Sequence, residues 1–111
     1  MFVEHEPVKL IKNGILFTWD DEKEKVNIEK HGVNFTLAAT VFFDESAVIS
    51  FNSIDGQTGE ERYDITGLPL PRTMFVVFVE RITVAKRDVI RIISARRANR
   101  KERDQYVAGT K

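Results

Sequence analysis

The 111 residues are 42% apolar and contain no cysteine, enough for one self-folding domain and incompatible with disulfides, cysteine zinc sites or thiol catalysis. Lys and Arg balance Asp and Glu at 17 each, yet residues 81–111 hold ten bases against three acids, a local +7 that leaves −7 on residues 1–80; asymmetry of this kind points to an anionic partner, nucleic acid above all. No apolar run is long enough to cross a bilayer, and Met1-Phe2-Val3-Glu4-His5-Glu6 has neither part of a secretory signal, so a cytoplasmic protein with no membrane partner is expected.

Residues 1–14, broken by Pro7 and Gly14, read as an N-terminal extension of a single domain spanning 1–111. Residues 15–19 alternate branched and aromatic side chains as a short strand does. Asp20 or Asp21 then supplies a capping oxygen, and Asp21 followed by Glu24 has capping-box spacing, predicting a helix that runs to about His31 and stops at Gly32. Asn34 or Thr36 caps a second helix whose Leu37, Ala38, Val41 and Phe42 recur on one face. Residues 47–51 read as a strand, 52–59 as a turn-rich loop, and 61–66 as a half-exposed strand closed by Gly67 and Pro69.

Residues 74–79 are apolar at every position, which suits a strand in the middle of a sheet. Residues 89–94 form the last strand, and a period of two puts Arg91 on one face with Val89, Ile93 and Ala95, and Arg96 on the other with Ile90, Ile92 and Ser94. Asn99 and Glu102 make a second capping box, opening a helix over about 99–108 that ends at Gly109. The expected fold is α+β: an antiparallel, mostly meander sheet of four to five strands, with two N-terminal helices and one C-terminal helix packed on it.

Four motifs carry a resemblance: Phe17-Thr18-Trp19-Asp20; Lys30-His31-Gly32-Val33-Asn34-Phe35; Glu61-Arg62 leading to Gly67; and Arg91-Ile92-Ile93-Ser94-Ala95-Arg96-Arg97-Ala98 with Glu102-Arg103 and Tyr106. In that order, over residues 17–106, the chain resembles the BrnT toxins of type II toxin–antitoxin pairs. The resemblance implies a RelE-like fold, an endoribonuclease activity that halts translation, and neutralisation by a BrnA-like antitoxin with a ribbon-helix-helix part. Toxin and antitoxin would pair as a dimer of heterodimers that meets promoter DNA only through the antitoxin. Two stretches depart from the family pattern: the first sixteen residues, and residues 81–87, which lengthen a turn.

RNA cleavage that needs neither metal nor cofactor uses the neighbouring 2′-hydroxyl as nucleophile, so the protein supplies a base, a stabiliser for the phosphorane charge and a proton for the leaving oxygen. Arginine suits the second role, because its planar fork matches phosphate oxygens and stays charged. Arg62, Arg81, Arg91 and Arg96 are the catalytic candidates, and Arg97 is a fifth phosphate ligand. Lys30 and His31 are the first choices for proton transfer, with Glu61 and Tyr106 behind them. Arg97, Arg100, Lys101, Arg103 and Tyr106 are the candidate RNA contacts.

Plainer roles compete with these. His31 would also serve the dipole at its helix end, Lys30 would also be a solvated helix residue, and Arg100, Lys101 and Arg103 would also form the wet face or the antitoxin-docking surface of a terminal helix. Arg91, a charge inside an apolar strand, is either the partner of Glu61 or Glu80 or a phosphate ligand. No His-x-x-x-His or clustered-acid spacing suggests a metal site. The alternative function is a non-catalytic RNA- or protein-binding module of the same fold.

Overall fold

The computed structural model describes residues 7–68, 74–82 and 88–109, with backbone course and pairing alone for 74–82 and 88. Its elements are β1 (Val8–Lys12), β2 (Ile15–Thr18), α1 (Asp21–His31), α2 (Phe35–Ala39), a 3-10 turn (Thr40–Phe43), β3 (Val48–Ile54), β4 (Glu61–Gly67), β5 (Met74–Ile82), β6 (Asp88–Arg97) and α3 (Arg100–Gly109). The α+β class is as expected, and β3 to β6 form the expected antiparallel meander. The sheet itself is larger, with six strands in the order β1-β2-β6-β5-β4-β3.

The difference arises at the N-terminus. Residues 8–12, read from the sequence as part of an extension, form an edge strand, because Asn13 and Gly14 take φ of 51° and 81° and close a tight hairpin onto β2. That hairpin attaches to β6 in parallel, Phe17 opposite Ile90 and Thr18 opposite Arg91, so the sheet is mixed. β5 lies between β4 and β6, the interior place its apolar sequence predicts. Pro69 and residues 83–87 of the lengthened turn lie outside the described residues.

Local capping mostly follows the sequence. Asp20 caps α1 by accepting from the amides of Glu22 and Lys23, Asn34 caps α2 through Leu37, and Gly32 ends α1 in the left-handed region. Asn99 and Glu102 form the reciprocal capping box of α3, at 2.9 and 2.8 Å. The Asp21/Glu24 capping box does not form. Glu24 instead accepts from the Phe35 amide at 2.8 Å and ties the first turn of α1 to the start of α2.

The core lies between the sheet and α1, α2 and the 3-10 turn, where Phe17, Phe35, Val41 and Ile92 are fully buried. Trp19 meets Phe35 edge-on, and Phe42 and Phe43 pack edge-on against Phe17. At the far end of the sheet α3 packs against β3 and β4.

One irregularity decides the geometry of the other face. Phe78 pairs with Ile92 and Val77 with Ser94, so Ile93 is an extra residue in β6. After this bulge the alternation flips: Ala95 is buried with Ile90 and Ile92, while Arg96 falls on the same side as Arg91. The period-two expectation had separated these two arginines.

Candidate functional site

Register places the polar residues of the uncovered face in rows. Ile65 points into the core, so Arg62, Asp64 and Thr66 of β4 face the other way. Through the β5 backbone, Asp64 is level with Ser94 and Thr66 with Arg96, and continuing the register one residue past the Tyr63–Phe78 pair sets Arg62 level with Arg91. Arg62 and Arg91 thus stand two strands apart, about 10 Å between backbones, and successive rows are about 7 Å apart. Ser50 continues the middle row on β3, where its hydroxyl, with the Asn52 amide, donates to the buried Asp64 carboxylate at 3.1 and 3.2 Å.

The arginines do not gather into one pocket; each has its own carboxylate. Arg62 Nη2 donates to Asp55 Oδ2 at 3.0 Å, Arg91 pairs with Glu60, and Arg96 grips Glu102 with both Nη atoms at 2.8 and 2.9 Å. Arg91 therefore pairs with Glu60, which the sequence did not suggest; Glu61 is exposed and accepts from the Tyr63 hydroxyl, and the Glu80 side chain lies outside the described residues. Arg62 and Arg91 belong together, because Asp55 and Glu60 are the two ends of one turn, closed by the Asp55 amide on the Glu60 carbonyl at 2.9 Å. The amides of Gln57 and Thr58 hold the Asp55 carboxyl below its usual value against an opposing effect of burial, and Arg62 and Arg91 add smaller downward pulls. Arg62 Nε and Arg91 Nε are buried without an acceptor among the described residues.

At the other end, the bond to Glu102 raises the Arg96 guanidinium, and burial of Glu102 is outweighed by Arg96 and the Asn99 amide, so its carboxyl is lowered. This pair pins α3. Tyr106, expected as an RNA contact, is buried, and its hydroxyl donates to Asp44 Oδ2 at 2.7 Å, which anchors α3. That bond to Asp44 raises the Tyr106 hydroxyl, while Asp44, despite burial, is lowered by the Leu68 amide, Tyr106 and the Ser46 amide. Arg97, Arg100 and Lys101 are exposed, and Arg103, also exposed, donates to the Ala98 carbonyl at 2.7 Å. Arg81 lies in β5 with its backbone opposite Val89, and its side chain is outside the description.

Lys30 and His31 lie elsewhere, on α1. Because β2 ends at Thr18, β6 has no strand on that side beyond Arg91 among the described residues, and α1 crosses the vacant edge there. Asn27, buried on α1, takes the place of the missing strand: its amide donates to the carbonyls of Ala95 at 2.8 Å and Val33 at 3.0 Å, and its oxygen accepts from the Ala95 amide at 3.1 Å. Between helix and edge is an open pocket of about 470 Å³ lined by Asp20, Glu22, Lys23, Val26, Asn27, Lys30, His31, Ile93 and Ser94. Ser94 also belongs to the middle row of the arginine face, so the two features share a border.

Sequence reasoning missed Asn27, Asp55 and Glu60. A lone Asn inside a helical pattern has no local use and signals a tertiary bond; Asp55 in a turn-rich run looked only like a turn former.

No curated protein matches the sequence. A family model described as the ribonuclease toxin BrnT of type II toxin–antitoxin systems matches residues 19–102, from the end of β2 into α3. The match takes in α1 with its pocket, the turn between Asp55 and Glu60, and all three paired arginines, and spans well over half of the chain. The protein belongs to the BrnT family of ribonuclease toxins of type II toxin–antitoxin systems.

Proposed function

We propose that the chain is a cytoplasmic, metal-independent endoribonuclease whose cleavage of RNA halts translation, and that a BrnA-like ribbon-helix-helix antitoxin neutralises it in a dimer of heterodimers. Promoter DNA is met through the antitoxin alone. The observation that carries the catalytic part is the Arg62/Arg91 row, with two buried guanidinium donors that have no acceptor among the described residues. A phosphate seated between them takes over the fork now held by Asp55 and Glu60, since carboxylate and phosphate present matching oxygens. Charge developing on the phosphorane is then met by fixed cations on strands.

Lys30 and His31 are the proton carriers, approaching from the α1 pocket across Ser94. Arg96 holds α3 and adds positive field to the same face. Arg97, Arg100 and Lys101 are exposed where RNA beyond the cleaved bond would pass. The contrary reading, a binder without chemistry, draws on the ion pair that each arginine already makes.

One incubation decides between them. Purified protein mixed with total RNA in EDTA shortens the RNA if the proposal holds. RNA shifted but intact sinks the nuclease, and cleavage abolished by EDTA sinks metal independence.

A further inference from the structure

We propose that the pocket between α1 and the vacant edge of β6 is a nucleotide subsite that takes one unstacked base of single-stranded RNA. The inference rests on the ribonuclease reading and deepens it by naming where a base beside the cleaved phosphate goes.

Four features favour this occupant. The volume of about 470 Å³ falls in the range of small-molecule sites, whereas an extended partner segment needs a longer groove. The lining follows α1, with Lys30 and His31 at one end, Val26 in the middle, and Asp20, Glu22 and Lys23 at the other, while Ile93 and Ser94 come from β6. The Asp20 carboxylate is already committed to the Glu22 and Lys23 amides. Cations at one end suit a phosphate, and the apolar middle suits the face of a base, while Ser94 offers a hydroxyl to its edge.

The rear wall is also preorganised. Three hydrogen bonds hold Asn27 between α1 and β6, so the pocket neither collapses nor needs assembly when RNA arrives. Finally, the pocket adjoins the arginine face: Ser94 stands one row, about 7 Å, from Arg91, a step that one nucleotide spans. Sequence-specific contacts to RNA generally use such splayed bases, stacked on imidazole or apolar surfaces and bonded at their edges.

The test uses a 2′-O-methyl RNA oligonucleotide, which cannot be cut, its all-ribose twin, and a series in which each position in turn is abasic. Removing one particular base should weaken binding to the wild type about tenfold, the scale of one stacked base. Val26 is 44% exposed, so Val26→Glu should fold; it should weaken the intact oligonucleotide to a similar degree and erase the penalty at that position. Equal binding of every abasic member overturns the subsite while leaving the nuclease standing. So does an undiminished abasic penalty in Val26→Glu, or a Val26→Glu protein that keeps RNA affinity but loses the antitoxin, which would make the pocket a protein-docking site. If the oligonucleotide fails to bind and its ribose twin stays uncut, the ribonuclease reading and the subsite fall together.

Discussion

The helix-covered side of the sheet and its uncovered side are built on different physics. On the first, Phe17, Phe35, Val41 and Ile92 are shut off from water, and stability there comes from apolar area and close packing. On the second, Arg62, Arg91 and Arg96 keep 30%, 20% and 36% of their side chains exposed and end in ion pairs, an arrangement worth little to folding. On the proposed reading, Arg62 and Arg91 are kept there for the RNA phosphate and not for stability. The contrast predicts that changes on the covered side remove the protein, and changes on the open side remove its activity.

The covered side should show the largest loss. Phe35→Ala deletes a fully buried ring that meets Trp19 at 5.8 Å, and should cost about 3–5 kcal/mol, read as a lower urea midpoint or as failure to fold. On the open side, Arg62→Gln and Arg91→Gln should each leave stability within about 1 kcal/mol of wild type. RNA cleavage should fall about 10²–10³-fold, as when a transition-state donor is lost. Soluble variants that still cut RNA at the wild-type rate would break the comparison, as would variants that unfold.

Asn27 sits on the border between the two sides. Asn27→Ala leaves the Ala95 amide and carbonyl buried without their partner on the free edge of β6, at a cost of about 2–3 kcal/mol. Hydrogen exchange at the Ala95 amide should rise out of proportion to that of the meander strands. Uniform loss of protection would mean that the edge has no separate stability.

Much of the covered side could be read from the chain, because its causes are local. Asp20, Asn34, Asn99 and Glu102 cap helices with atoms two or three residues away, and Gly32 stops α1 by its own conformation. The open side depended on facts that are not local. Nothing in a period of two announces the extra residue at Ile93, which brings Arg96 round beside Arg91. The pairing of β2 with β6 joins residues more than seventy positions apart. The Asn13-Gly14 dipeptide is a different case, since it is a local hairpin signal that the sequence reading passed over as a simple breaker. Among site residues, the arginines were legible as types and in part as a face, but their carboxylates were not: Arg91 reaches Glu60 across 31 positions.

A smaller effect should appear where α3 meets β4. A Cβ on Gly67 would lie 3.0 Å from Asp44 Oδ2 and 3.1 Å from both Ala47 and Val41, too close for all three. Gly67→Ala should therefore cost about 1–3 kcal/mol by overpacking and loosen the Tyr106–Asp44 bond. A neutral substitution would show that the end of the sheet is more yielding than its centre.

The smallest effect, and the one that best separates the two sides, is the response to acid. Asp44 and Glu102, which fasten α3, and Asp55, which faces Arg62, all have carboxyls held below their usual values in the folded protein. The unfolded chain therefore takes up protons first as pH falls. The stability these groups contribute is complete above the ordinary carboxylate range, about pH 4–5, and is lost as pH drops through and below it. Because the groups are partly or wholly solvated, solvent screening keeps the loss at the α3 pairs to about 1 kcal/mol or less each. Glu102→Gln should flatten the slope of stability against pH between about pH 5 and 3, whereas Phe35→Ala, which removes no charge, should lower the whole curve without changing its shape. If urea titrations at several pH values give parallel curves for the wild type and Glu102→Gln, the carboxylates do not fasten α3 and the distinction between a packed side and a charged side fails at that end of the sheet.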